Sequence, residues 1–179
     1  PTLTIRVVDE HDTPVEPGVD GELQIRGTSL FRGYWNRPDA DAESFVDGWF
    51  RTGDIAHVDD AGYLFIVDRS KDLIIRGGEN ISPGEIEYVL EDHPGVAEAA
   101  VIGVPDIEWG EVVKAIVVAA DAANKPSDEE LTAYVKSRIA SYKAPSMYQW
   151  VDEFPRNHLG KILKTDLRRD YGQPTTAQA

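Results

Sequence analysis

Apolar and polar residues alternate along residues 3–9 (Leu-Thr-Ile-Arg-Val-Val-Asp), the period of a half-buried strand. A turn region rich in Pro, Asp and Gly fills residues 10–20, and a second strand is expected over residues 22–26. Residues 27–48 carry no clear period, with room for a short helix near residues 39–45. Two apolar runs, 50–58 and 63–67, flank Asp59-Asp60-Ala61-Gly62 and predict a hairpin. Residues 1–67 are thus β-rich, with no helix long enough to cover a sheet, and would make a poor core on their own.

The pattern changes beyond this point. A charged knot, Asp68 to Asp72, precedes a short apolar strand over residues 73–75, and Gly77-Gly78 offers a backbone free to take positive φ and to let another molecule approach. Ser82 suits a helix N-cap, Pro83 the first helical position, and Glu85 completes a capping box. Ile86, Val89 and Leu90 would form that helix's apolar face, ended by His93-Pro94-Gly95. Residues 96–104 and 112–119 read as two strands joined by the loop 105–110. Ser127 caps a second helix, with Leu131, Tyr134, Val135 and Ile139 on one face. A strand at 148–151, a short basic helix at 164–171 and a flexible tail over 173–179 complete the chain. The predicted fold class is α+β: a β-rich piece over residues 1–67, then a small α+β domain over residues 68–172.

Composition narrows the functional classes. A net charge of −14 leaves no surplus of Lys and Arg to release counterions, which argues against a nucleic-acid partner. With no cysteine, disulfides, thiolate metal sites and cysteine catalysis are excluded. The longest apolar run, residues 112–120, is interrupted by Lys114 and is too short for a transmembrane segment. The first six residues have no signal-peptide profile, so a cytoplasmic location is expected. The four histidines, His11, His57, His93 and His158, show no metal-ligand spacing.

Four blocks exceed this general pattern. They are Gly21-Glu22-Leu23-Gln24-Ile25-Arg26-Gly27 with Gly33-Tyr34-Trp35-Asn36-Arg37-Pro38; Trp49-Phe50-Arg51-Thr52-Gly53-Asp54; the run from Asp68 to Leu90; and Phe154-Pro155-Arg156-Asn157-His158-Leu159-Gly160-Lys161-Ile162-Leu163-Lys164. In this order and spacing the chain resembles the AMP-forming adenylating superfamily of acyl-CoA synthetases, firefly-type luciferases and peptide-synthetase adenylation domains. It looks most like an acyl-CoA synthetase of the fatty-acid type. The resemblance implies the end of a large N-terminal domain's β-barrel followed by the small α+β lid. The family's Ser/Thr/Gly-rich phosphate loop and its Tyr-Gly-x-Thr-Glu block do not occur, so a piece of a longer synthetase is expected, completed by an N-terminal domain.

The resemblance also implies roles. Lys161 would be catalytic, its ammonium offsetting charge as a carboxylate meets the α-phosphate of ATP; on sequence alone it is a solvated lysine before a basic helix. Asp54 would accept hydrogen bonds from both ribose hydroxyls, against the plain reading of a Gly-Asp turn. Arg69 is implied as a donor to the same ribose, Lys71 as a neighbour of the acyl-adenylate, and Asp68 as the hinge. Gly77 and Gly78 would face the pantetheine of CoA, and Trp109 could stack on its adenine or serve merely as a packing anchor. Asp72, Arg76, Lys164 and Arg168 read as surface charges. The implied co-substrates are ATP with Mg2+, CoA and a carboxylic acid, fatty in the nearest resemblance. Rival expectations are a luciferase-like monooxygenase, an adenylation domain that loads a carrier protein, and a folded piece inactive by itself. No Gly-Gly-x-Ser carrier motif follows the terminal lysine block.

Overall fold

The computed structural model describes residues 3–173; most of the expected tail, from residue 174 on, lies outside the described residues. The chain divides into two compact units, one ending at Lys71 and the other beginning at Asp72.

In the first unit, β1 (Leu3–Val8), β2 (Gly21–Gly27), β3 (Phe45–Val46), β4 (Trp49–Val58) and β5 (Leu64–Arg69) form an antiparallel sheet. β4 is its centre, with β2 along one edge and β3 and β5 along the other. Helix α1 (Pro38–Ser44) starts on a proline, whose missing N–H would have no helical partner there. The apolar core is small: Val7, Leu23 and Ala56, with Val15, Ile25 and Val58 packed against them. A polar network adds to it. The fully buried Gln24 amide accepts from Arg6 and donates to Asp12, whose carboxylate also takes a two-pronged ion pair from Arg51. Leu64, Phe65 and Ile66 on β5 stay exposed.

The second unit is a layered α+β domain. β6 (Ile74–Arg76) and β7 (Glu79–Ile81) form a hairpin where the sequence suggested a single strand, since three-residue strands carry no readable period. Helix α2 (Pro83–Glu91) follows, with the Ser82 hydroxyl accepting the Glu85 N–H. β8 (Val96–Asp106) and β9 (Gly110–Ala119) are longer than expected, because Pro105 and Asp106 pair with Glu111 and Gly110. Helix α3 (Asp128–Lys136), capped by Ser127, leads to β10 (Met147–Val151), which runs parallel to β9; α4 (Lys164–Tyr171) closes the unit.

β8 and β9 are apolar on both faces, and both faces are covered. Ala99, Val101, Val113, Ala115 and Val117 pack under Ile86, Val89 and Leu90 of α2 and Leu131 and Val135 of α3. Ala100, Ile102, Val104 and Ile116 point the other way, to Phe154 and to Leu167 of α4. That is why these runs read as continuously apolar rather than alternating.

Candidate active site

The first cluster lies on β4 and β5. From Val58↔Leu64 to Ala56↔Ile66 the two strands pair in regular register; Val67 is then an extra residue, and the ladder resumes at Ile55↔Asp68 and Asp54↔Arg69. Without this bulge, Asp54 would face Asp68, two like charges. With it, the Arg69 guanidinium stands opposite and its Nε lies 3.2 Å from Asp54 Oδ1. Thr52 sets the approach to Asp54: its hydroxyl donates to the Leu23 carbonyl (2.8 Å) and accepts the Asp54 N–H (3.0 Å). Gly53 between them takes φ +71°, a conformation costly for any residue with a Cβ. The two residues expected at the ribose are thus side by side, both partly exposed. A carboxylate and a guanidinium so paired retain free lone pairs and N–H groups for a vicinal diol.

The second cluster surrounds the β6–β7 turn. Gly77 and Gly78 form a two-residue hairpin loop with φ +59° and +87°, positive at both positions as a type I′ turn requires. The Gly77 N–H donates to the Trp109 carbonyl at 2.8 Å. A Cβ at Gly77 would sit 3.0 Å from Cε3 of the Trp109 indole, whereas nothing lies within 4 Å of the corresponding point at Gly78. The Arg76 guanidinium lies 4.6 Å from the indole centroid. Gly77 and Trp109, both candidates for CoA, are therefore in contact, with Gly78 beside them in the turn, and the contact fits equally the reading of Trp109 as a packing anchor. Arg76, expected as a plain surface charge, is laid over the indole with them, a pairing invisible in sequence because it depends on the β8–β9 loop.

Lys161 stands at the base of a tight hairpin. Residues 156 and 162 bridge, the Asn157 N–H donates to the Lys161 carbonyl (3.0 Å), and the Gly160 N–H donates to the Asn157 carbonyl (2.9 Å). Gly160 has φ +82°, so His158-Leu159-Gly160 is a three-residue loop with glycine in its left-handed position. Arg156 bonds the Gly160 carbonyl (2.8 Å) and pairs with Glu98 on β8, tying the hairpin to the sheet. Lys161 is exposed, and among the described residues its ammonium pairs with no carboxylate. The structure does not bring Lys161 into contact with the Gly77–Trp109 cluster.

The remaining candidates stand apart. Asp68, expected outside regular structure, is a residue of β5 paired with Ile55, and its carboxylate accepts the Arg69 N–H at 2.7 Å. Lys71 is exposed in a 3-10 turn, Ser70–Asp72. Three other charges are corrected from surface to structural. Arg168 pairs with Asp72 at 2.8 Å, and Lys164 with Glu87 at 2.7 Å, each carboxylate less than a fifth exposed. The partners are far apart in sequence, so no local pattern announces them. Asn157 and Thr52 were also missed as contributors; an Asn three residues before Gly is the available signal for the former. Among the described residues no group of three His, Asp or Glu could hold a metal ion.

Comparison with known proteins gives these clusters a common setting. Residues 85–161 match the AMP-binding enzyme C-terminal domain family. The chain is 49% identical over 168 residues to a feruloyl-CoA synthase of Amycolatopsis sp, covering 94% of this chain and 34% of that protein. It is 47% identical over 168 residues to a fatty acid–[acyl-carrier-protein] ligase of Streptomyces coeruleorubidus, covering 94% and 32%. The solved o-succinylbenzoate CoA synthetase of Bacillus subtilis, in complex with its acyl-adenylate intermediate, matches with a TM-score of 0.85 at 42% identity over 93% of this chain and 34% of that one. The fold of the second unit is that of the C-terminal domain of adenylate-forming enzymes. The chain belongs to the AMP-forming adenylating superfamily, whose C-terminal domain it carries. It spans about a third of the length of these relatives.

Proposed function

We propose that the complete protein joins a carboxylic acid to ATP as acyl-AMP, releasing pyrophosphate, and then passes the acyl group to the thiol of CoA. In the first step a carboxylate oxygen attacks the α-phosphorus and the bond to pyrophosphate breaks. Lys161 supplies the positive charge for that step, and Mg2+ enters with the nucleotide. Asp54 and Arg69 hold the ribose, and Lys71 lies toward the acyl-adenylate. In the second step the CoA sulfur attacks the acyl carbonyl and AMP leaves, with Gly77, Gly78 and Trp109 facing CoA. The second unit serves both steps by turning about the segment that begins at Asp68. An N-terminal domain supplies the phosphate loop and the acid pocket, and the protein works in the cytoplasm.

The observation that carries this reading is the Lys161 hairpin: an ammonium without a carboxylate partner among the described residues, on a loop pinned by five hydrogen bonds. The relatives named for feruloyl, fatty-acyl and succinylbenzoyl groups share this domain, so the chemistry travels with it and the acid is selected elsewhere; a fatty acid is the first to assay. In the full-length enzyme, Lys161→Ala should lower acyl-AMP formation by at least about 10²-fold, the scale of one lost transition-state donor. Thioester formation from supplied acyl-AMP should survive. Equal loss in both half-reactions would overturn the assignment. The 179-residue chain alone should show no ATP–pyrophosphate exchange.

A carrier-protein thiol is the second reading of the acceptor, favoured by the Streptomyces relative's name. Supplying purified acyl-AMP with CoA or with a phosphopantetheinylated carrier protein separates the two.

A further inference from the structure

Asn157 makes hydrogen bonds with both backbone polar groups of Lys161. Its Oδ1 accepts the Lys161 N–H at 2.9 Å, and its own N–H donates to the Lys161 carbonyl at 3.0 Å. The same Oδ1 accepts the Leu159 N–H at 3.0 Å, and the Asn157 carbonyl accepts the Gly160 N–H at 2.9 Å. One side-chain oxygen thus closes the hairpin across its mouth while the backbone closes it at its base. Three donors that an open loop would leave to water are held by a single residue. Lys161 has four rotatable side-chain bonds and, among the described residues, no carboxylate to fix its tip. Its reach is therefore set by where its Cα is held.

We infer that Asn157 is a positioning residue for Lys161: its side-chain amide oxygen fixes the origin and direction of the lysine, so that the ammonium reaches the reacting phosphate without a fixed partner of its own. An anchored backbone with a free tip suits a charge that must be available in one step and withdrawn in the next. A salt bridge on the ammonium would hold it equally well but would neutralise it. The placement is achieved through backbone groups instead. Arg156, bonded to the Gly160 carbonyl and paired with Glu98, fixes the hairpin's orientation on β8, so Asn157 governs the loop's internal shape and Arg156 its seat.

This inference rests on the catalytic reading of Lys161, and the test separates the two. In the full-length enzyme, Asn157→Ala should lower acyl-AMP formation roughly tenfold, the cost of misplacing a reacting group by less than an ångström. Thioester formation from supplied acyl-AMP should stay within about twofold, since Lys161 is not used there. Asn157→Asp retains the acceptor oxygen and should recover most of the adenylation rate. In a Lys161→Ala background, Asn157→Ala should lower the adenylation rate no further, because a residue acting only through Lys161 has nothing left to position. An additive loss in the double variant, an equal loss in both half-reactions, or full activity of Asn157→Ala would each overturn the inference. If Lys161→Ala itself leaves acyl-AMP formation intact, the reading beneath it fails instead.

Discussion

The Arg168 guanidinium lies 2.8 Å from the Asp72 carboxylate, a group only 14% exposed, so the last helix grips the first residue of the second unit. Arg168→Ala would leave that carboxylate partly buried and unpaired. The arginine is itself about one-third exposed, which keeps the expected loss near the lower end, about 1–2 kcal/mol. Adding Asp72→Asn should recover part of it, because the uncompensated charge is then gone. Urea denaturation of the 179-residue chain reads both; no loss in the single variant would return Arg168 to the surface charges.

Glu87 and Glu91, one turn apart on α2, accept the N–H groups of Val101 (2.7 Å) and Ala99 (3.1 Å). These amides lie on the edge of β8 turned away from β9, where no strand pairs among the described residues. Carboxylates therefore stand in for a missing strand and protect an edge that could recruit another chain. Glu87→Ala should cost about 1–3 kcal/mol by leaving the buried Val101 amide unsatisfied and freeing Lys164. Glu87→Gln retains the acceptor and should cost less. Light scattering during refolding should rise for the alanine variant; equal behaviour of the two would mean that charge, not the amide bond, matters.

Gly77 and Gly78 offer a matched pair. Alanine at either takes the same left-handed backbone, at roughly 1–2 kcal/mol, but only at Gly77 does the new Cβ meet the Trp109 indole. Gly77→Ala should therefore raise the KM for CoA roughly tenfold above Gly78→Ala, about 1.4 kcal/mol, with acyl-AMP formation unchanged in both. Identical values for the two variants would disconnect Trp109 from the acceptor.

The long elements were legible because they repeat. Helices α2 and α3 bury Ile86, Val89, Leu90, Leu131 and Val135 at helical spacing, each behind a serine cap that the structure contains. Ile139, counted on the second helix's face, packs against the core from beyond its last residue, Lys136. The serine half of the capping box is observed, the Ser82 hydroxyl accepting the Glu85 N–H, while the Glu85 carboxylate also pairs with Lys143 at 2.6 Å, a contact set by tertiary structure. In the site, residue types were readable and their partnerships were not. Arg69 meets Asp54 only through the one-residue bulge at Val67, and no count along the sequence reveals a bulge. Trp109 reaches Gly77 through a loop fixed by Asp106, whose carboxylate accepts the Glu108 and Trp109 N–H groups.

If the second unit turns between the two steps as proposed, proline substitutions locate its pivot. Asp68 lies inside β5, opposite Ile55, whereas the boundary between the compact units falls three residues later, after Lys71. Two positions therefore compete. Asp68→Pro would fix φ near roughly −65° and constrain Val67, the bulge residue, so it should also lower the first unit's stability. Ser70→Pro acts at the first residue of the 3-10 turn, where proline is tolerated, and its demand on Arg69 is for the extended backbone a strand residue already has. If rotation occurs at Asp68, only Asp68→Pro should spare one half-reaction while slowing the other by orders of magnitude, and Asp68→Ala should be mild. If it occurs in the turn, Ser70→Pro should separate the half-reactions at unchanged thermal stability. Measuring acyl-AMP formation, thioester formation from supplied acyl-AMP and Tm for all three full-length variants distinguishes these cases. Should neither proline separate the half-reactions, the segment from Asp68 to Asp72 is an ordinary linker and the single-lid account of the two steps is wrong.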